Sequence, residues 1–241
     1  MKFQYKIFII LFVVIGLFSC KSKKGIELNI QPTKSSTFKA FYKKAPASLL
    51  IMPPINEAIN QDAKEFFYSV MASPLIEQGF YVFSPQLTMD FLRENSAYDS
   101  ELFLDSDLLI FREQMGADAV VFTIIENWEK NQLLKTIKVT AKIIVKATGT
   151  GLTLYERKCQ FTADFNVKTS SGGGLAGAVA DITMMIVARA FFTATPEVEV
   201  ASKCVNHLLK DMPKGKYHPN YLQDGEDIVG PYFIYAEWNL D

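Results

Sequence analysis

The pattern of hydrophobic and polar positions changes midway along the chain. Up to residue 116, short apolar runs alternate with segments whose apolar residues recur at helical spacing. The runs at residues 48–52 and 80–83 predict strands, and the periodic segments predict helices over residues 62–78, 87–94 and 104–114. Pro74 falls inside the first of these helices, where it predicts a kink or a break.

The second half of the chain begins with a pattern typical of strands. Apolar and polar residues alternate over residues 133–147, as expected of a strand with one buried and one solvated face. A second long strand is predicted over residues 152–167, after a turn at residues 149–151. Two helices follow, over residues 175–193 and 198–210.

A short apolar run rich in β-branched residues, residues 119–125, lies between the two halves. Its composition predicts a buried strand, and its position makes it the central strand of the sheet. The fold class is therefore α/β with α+β character: a βαβ half with right-handed crossovers, then an antiparallel meander, in one mixed sheet with flanking helices.

The amino terminus has the pattern of a lipoprotein signal peptide. Lys2 and Lys6 precede an apolar run at residues 7–18, and Ser19 and Cys20 close it. The run is shorter than a typical membrane span, and a small residue before the cysteine suits lipoprotein signal peptidase. We expect cleavage before Cys20 and acylation of its thiol, with an uncleaved N-terminal anchor as the alternative.

This signal sets the predicted domain boundaries. Residues 1–19 are the signal peptide, residues 20–47 the lipidated cysteine and a tether, residues 48–215 a single α/β domain, and residues 216–241 a tail with an edge strand.

With 25 basic and 26 acidic residues the chain carries a net charge of -1, so it lacks the basic field that nucleic acid requires.

The predicted helix at residues 175–193 is apolar on every side. Gly173 and Gly177 stand one turn apart and, with Ala180 and Met184, allow close approach of another backbone, so these four residues are the candidate interface. Burial on the protein's own sheet is an alternative. A transmembrane span is another, opposed by Asp181 and Arg189, each of which costs about 2.5–3.5 kcal/mol at mid-bilayer.

Cysteine and histidine usage leaves little room for catalysis. Once Cys20 is acylated, Cys159 and Cys204 form a disulfide in an oxidising periplasm or remain two buried thiols. Cys204 and His207 share a helix face, but an activated thiolate also needs an oxyanion site and an orienting partner, which the sequence does not indicate. With two histidines in the chain, and no Lys-Ser/Thr pair after the glycines at residues 172–174, we predict no catalytic residue, metal or cofactor.

Several stretches resemble a family of bacterial lipoproteins that includes a neisserial genome-derived antigen. They are the lipobox and residues 50–56 (LIMPPIN), 78–83 (QGFYVF), 115–120 (MGADAV), 125–128 (IENW) and 212–221 (MPKGKYHPNY). The resemblance covers most of residues 48–167 and, more loosely, 175–221. It implies an outer-membrane-anchored periplasmic protein without established activity, with a domain similar to the amino-terminal domain of the Tol translocation protein. Relatives are often encoded near lipoproteins that resemble the curli secretion channel.

The resulting functional prediction is a non-enzymatic interaction or assembly subunit of an envelope transport or secretion complex. Its partner is an envelope protein or a second copy. Lys21 is not the acidic residue that retains many lipoproteins at the inner membrane, a sorting rule that the resemblance implies, so we expect the outer membrane. The alternative is an envelope hydrolase with its site at the carboxyl end of the central strand. A filled, apolar crevice there would favour the assembly hypothesis.

Overall fold

A seven-stranded mixed sheet is the framework of the structure. The computed structural model describes residues 31–239 except 96, 98, 167–174 and 195, and in the helix at 175–194 it leaves out the side chains of 175–178, 191, 193 and 194. The strands are β1 (Ser48–Ile51), β2 (Ile55–Asn56), β3 (Tyr81–Val82), β4 (Ala119–Asn131), β5 (Thr136–Ala147), β6 (Thr153–Asp164) and β7 (Phe233–Asn239).

The sheet has a parallel and an antiparallel half that meet at β4. The strand order is β3-β1-β4-β5-β6-β7, with β2 beside β4. Strands β3, β1, β2 and β4 pair in parallel, β4 to β6 form an antiparallel meander, and β7 returns parallel to β6. The predicted fold class and the central position of β4 are confirmed.

Strand β4 is longer than its apolar run. It continues past a register shift between Ile125 and Asn127 and pairs with β5 as far as Asn131. The Asn131 side chain then accepts the N–H groups of Leu133 and Leu134 at 3.0 and 2.9 Å, which sets the turn at residues 132–135. The strand predicted over residues 133–147 therefore begins too early: Glu129 lies opposite Lys138 and extends the β4 ladder, and β5 starts only at Thr136.

Eight helices occur in the described part of the chain. They are α1 (Lys34–Thr37), α2 (Lys39–Lys44), α3 (Ala63–Val70), α4 (Ala72–Glu77), α5 (Pro85–Glu94), α6 (Leu109–Met115), α7 (Leu175–Ala194) and α8 (Glu197–Leu209), with a 3-10 turn at Ser100–Phe103. The predicted helix over residues 62–78 is broken in two, because Pro74 has no N–H for the Val70 carbonyl. Helix α6 begins later than predicted, where the Asp107 side chain accepts the Leu109 N–H at 2.9 Å.

The sheet buries two hydrophobic cores, one on each face. The larger core lies under α2, α3, α4 and α8 and includes Phe67, Val121 and Phe161. The smaller core lies under α5 and α6, on the opposite face of the parallel half, and includes Phe111 and Phe122. On that same face the polar residues of β5 and β6 stay half exposed, as their alternation predicts.

The compact unit is larger than the predicted domain at residues 48–215. It runs from Pro32 to Asp241, because both flanking segments pack on the sheet. Phe38 and Phe41 of the expected tether are buried, and the Phe38 ring lies 4.9 Å from that of Tyr155. The tail adds β7 at the edge of the sheet, at the position where the sequence predicts an edge strand.

Candidate interaction surface on helix α7

Helix α7 leaves a continuous apolar surface open to solvent. Val179, Ile182 and Ile186 are 57%, 58% and 64% exposed. At 100° per residue these three side chains fall within about 60° of the helix circumference, and the charged residues Asp181 and Arg189 lie outside that arc. We call Val179, Ile182 and Ile186 the outward face of α7. The alternative that the protein's own sheet buries this helix is wrong for these side chains.

The four candidate interface residues lie on or before this helix. Ala180 is exposed and Met184 is half buried. Gly177 is in the first turn of α7, where the surroundings are not described, and Gly173 lies outside the described residues, as does Cys20. Among the helices that the structure describes, none is long and apolar enough to cross a membrane.

On another side of α7, two of the described residues are buried near the end of the sheet. Ala188 and Phe192 are 2% and 1% exposed, and the Phe192 ring lies 5.2 Å from the ring of Phe165, just after β6. The ammonium groups of Lys130 and Lys135 lie 4.7 and 5.0 Å from the centre of the Phe192 ring. Sequence analysis did not identify these contacts, since nothing local links Phe165 to a helix turn near residue 192.

The two remaining cysteines lie side by side between β6 and α8. Cys159 and Cys204 are free, fully buried thiols. A hydrogen bond with the Cys159 thiol and burial together hold the pKa of Cys204 well above its usual value. The structure thus brings the predicted pair together, and the disulfide stays a prediction.

The Cys204 and His207 pair is not arranged as an activated nucleophile. The His207 ring lies against Phe161, with 5.6 Å between ring centres. Burial, then Lys210 and Lys203, lower the pKa of His207, while the thiol beside it has a raised pKa. A thiolate is therefore disfavoured, which is the opposite of what a catalytic cysteine requires.

An open cleft of about 500 Å³ lies at the carboxyl ends of the parallel strands, where the alternative hydrolase site was predicted. Its lining is Pro53, Pro54, Ile55, Asn56, Lys64, Glu65, Tyr68, Gln86, Met89, Arg93, Asp99, Ser100 and Glu101. The cleft is neither filled nor apolar, so the condition that would favour assembly is not met.

The lining nevertheless includes no histidine or cysteine. The Ser100 hydroxyl is buried and has no hydrogen-bond partner among the described residues, so none of them is placed as a base to activate it. Among all the residues that the structure describes, no three His, Cys, Asp or Glu side chains lie close enough together to form a metal site.

Comparison with known proteins identifies relatives of this chain. The family model described as "Putative lipoprotein GNA1162-like" matches residues 36–217. A curated protein of Neisseria meningitidis serogroup B (strain ATCC BAA-335 / MC58), "Putative lipoprotein NMB1124/NMB1162", is 25% identical over 173 residues, which are 69% of this chain and 73% of that protein.

Two solved structures are also similar. The crystal structure of lipoprotein GNA1162 from Neisseria meningitidis is 22% identical, with a TM-score of 0.46, covering 60% of this chain and 99% of that one. The PelC dodecamer from Paraburkholderia phytofirmans is 12% identical, with a TM-score of 0.40, covering 68% of this chain and 87% of that one. The family match, which spans most of the chain, shows that this protein belongs to the GNA1162-like lipoprotein family.

Proposed function

We propose that the protein is a lipid-anchored, non-enzymatic assembly subunit of a cell-envelope complex. Acyl chains on Cys20 hold it at the periplasmic face of the outer membrane, and helix α7 carries its interaction surface. Family membership and the signal-peptide pattern support the anchor. The family resemblance implies that relatives are often encoded near lipoproteins similar to the curli secretion channel, and this favours a transport or secretion complex.

The exposed outward face of α7 is the observation that carries this proposal. Ile182 and Ile186 have large exposed side chains. Removing apolar surface from water contributes about 25 cal/mol of free energy for each Å², so covering these side chains is favourable. Contiguous exposed apolar patches in soluble proteins mark interaction sites. The face has no charge and therefore suits a second copy of itself, in a contact where both subunits use the same residues.

Photo-crosslinking in the native envelope tests the proposal. A photoreactive amino acid at Ile186 should yield a product of twice the subunit mass, whereas the same group at Leu87, which is 50% exposed on α5, should not. A product at Ile186 with a different envelope protein would retain the assembly function and replace the second copy as its partner. Absence of any product, with a monomer in sedimentation, would refute the assembly function.

The anchor has its own test. Cys20→Ala should leave a folded protein that is released or unprocessed, because the lipid contributes membrane affinity independently of the fold. Membrane fractionation with radiolabelled palmitate measures both properties. Recovery of the wild-type protein in the inner membrane would contradict the proposed location.

The alternative of an envelope hydrolase draws on the cleft at the carboxyl ends of the parallel strands. A fluorophosphonate probe labels serines that a neighbouring base activates. Because the Ser100 hydroxyl has no partner among the described residues, we expect no labelling. Labelling that disappears in Ser100→Ala would favour the hydrolase.

A further inference from the structure

A crevice of about 340 Å³ lies where helix α7 meets the end of the sheet. Its lining is Lys135, Phe165, Asn166, Met185, Ala188, Arg189 and Phe192. From its combination of apolar walls and cationic groups we infer that the crevice binds one acyl chain that carries an anionic headgroup.

The apolar residues of the lining suit a hydrocarbon chain. They are Phe165, whose ring lies 5.2 Å from that of Phe192, together with Met185 and Ala188, one turn apart on α7. Met185 is 55% exposed although the other apolar residues of the lining, Phe165, Ala188 and Phe192, are buried, so a chain in the crevice would cover it. The volume lies near the lower limit of about 300 Å³ for ligand sites in proteins, which favours one chain over several.

The charged residues of the lining are both positive. Lys135 and Arg189 line it, and no residue of the lining is acidic. The Lys135 ammonium makes no ion pair within the described ranges, whereas Lys130, on the same ring of Phe192, is held by Glu197 at 2.8 Å. Lys135 is therefore the group that we expect to bind a carboxylate or phosphate beside an apolar wall.

Asp164, two residues before Asn166 of the lining, does not oppose this assignment. The Asp164 carboxylate accepts the backbone N–H and the side-chain amide of Asn166, at 2.9 and 2.7 Å. These bonds hold its charge outside the crevice, since Asp164 is not part of the lining. An anionic amphiphile therefore complements the crevice better than a neutral or cationic one.

This site is separate from the proposed assembly surface. Met185, Ala188, Arg189 and Phe192 fall within about 100° of the circumference of α7, an arc that borders the outward face but does not overlap it. The crevice keeps its lining whether or not a second copy covers the outward face.

Two sources supply the same ligand chemistry: a free fatty acid, or a phospholipid with one chain withdrawn from the membrane.

Photoaffinity labelling of the full chain in envelope membranes tests the inference. The probes are a diazirine-bearing hexadecanoate, a lysophosphatidylglycerol with the same photoreactive chain, and the corresponding neutral alcohol. We expect the anionic probes to label the peptides that hold Phe165 and residues 185–192. Loss of one charge-assisted contact in Lys135→Gln should reduce labelling about tenfold.

Two variants provide controls. Lys135→Arg keeps the charge and should restore labelling, and Lys64→Gln, at an exposed lysine on α3, should leave it unchanged. Labelling by hexadecanoate alone assigns the free acid, and labelling by the phospholipid probe alone assigns the membrane lipid. Equal labelling by the neutral alcohol, equal labelling at Val179 and Ile182, or an unchanged signal in Lys135→Gln would overturn the inference. None of these results depends on whether α7 self-associates.

Discussion

Lys34 and Asp224 form a buried ion pair although 190 residues separate them in the chain. The Lys34 ammonium lies 3.1 Å from the Asp224 carboxylate, and the side chains are 5% and 6% exposed. The same carboxylate accepts the Tyr42 hydroxyl at 2.9 Å and the Lys214 backbone N–H at 3.0 Å. One aspartate thus joins the segment that holds Lys34 and Tyr42 to the carboxyl-terminal tail.

Removal of the Asp224 charge should destabilise the fold. Asp224→Asn leaves the Lys34 ammonium buried beside Asp227 alone, which is 3.4 Å away and 60% exposed. Because breaking a buried ion pair leaves an uncompensated charge, we expect the free energy of unfolding to fall by about 3 kcal/mol. Denaturant titration measures the change. The control is Asp90→Asn in the exposed pair with Arg93, for which about 0–1 kcal/mol is expected; equal losses in the two variants would refute the prediction.

The Asp224 carboxylate should also make the stability of the fold depend on pH. Burial raises the pKa of Asp224, but the hydrogen bonds from Lys34, Tyr42 and the Lys214 backbone outweigh burial, and the net pKa lies below the usual 3.8. A lowered folded-state pKa gives stability that is fully present above the unfolded-state pKa and is lost as pH falls through the folded-state pKa. The free energy of unfolding should therefore decrease below about pH 4, and less steeply in Asp224→Asn. Denaturation series at several pH values compare the slopes, and parallel slopes would contradict the assignment.

A charge on the outward face of α7 should block assembly without unfolding the subunit. Ile186→Glu places a carboxylate at a 64% exposed position, so its effect on monomer stability should stay within about 0.5 kcal/mol. Gly177→Leu should likewise lower oligomer content by preventing close approach. Sedimentation velocity and circular dichroism distinguish lost association from lost structure. A wild-type protein that sediments as a monomer would leave these substitutions without effect and argue against self-association.

Truncation of β4 should be costly on both faces of the sheet. Val121 and Phe122 are fully buried, in the larger and the smaller core respectively. Each change to alanine should cost about 2 kcal/mol or more, with the larger loss for Phe122, because a cavity remains. Val198→Ala, at a 45% exposed position on α8, is the control for denaturant midpoints. Unchanged midpoints in both core variants would show that β4 is not central to stability.

The redox state of Cys159 and Cys204 is open to direct measurement. The predicted disulfide would release two protons and transfer two electrons to a periplasmic disulfide oxidant. Thiol alkylation of the denatured, unreduced protein distinguishes the two states by mass. Two alkylated cysteines would contradict the bridge. A bridge should also withstand reductant until the protein unfolds, since both residues are fully buried.

Local pattern alone was enough to place most elements of the sheet. The apolar run of residues 119–125 predicts the central strand because a strand buried on both faces has no polar positions to alternate. The alternation in β5 predicts its half-exposed face, and Pro74 predicts the break between α3 and α4 because a missing N–H acts within one helical turn. Motifs spread along the chain also identified the family.

The tertiary structure alone decided which surfaces are covered. Composition shows that α7 is apolar but not whether a sheet face remains to cover it; here the helix attaches through Ala188 and Phe192 and leaves its outward face in solvent. The crevice beside Lys135 and the contact between Cys159 and Cys204 likewise join residues far apart in the chain. Such contacts depend on how complete elements pack, and the spacing of residues along a sequence does not specify that packing.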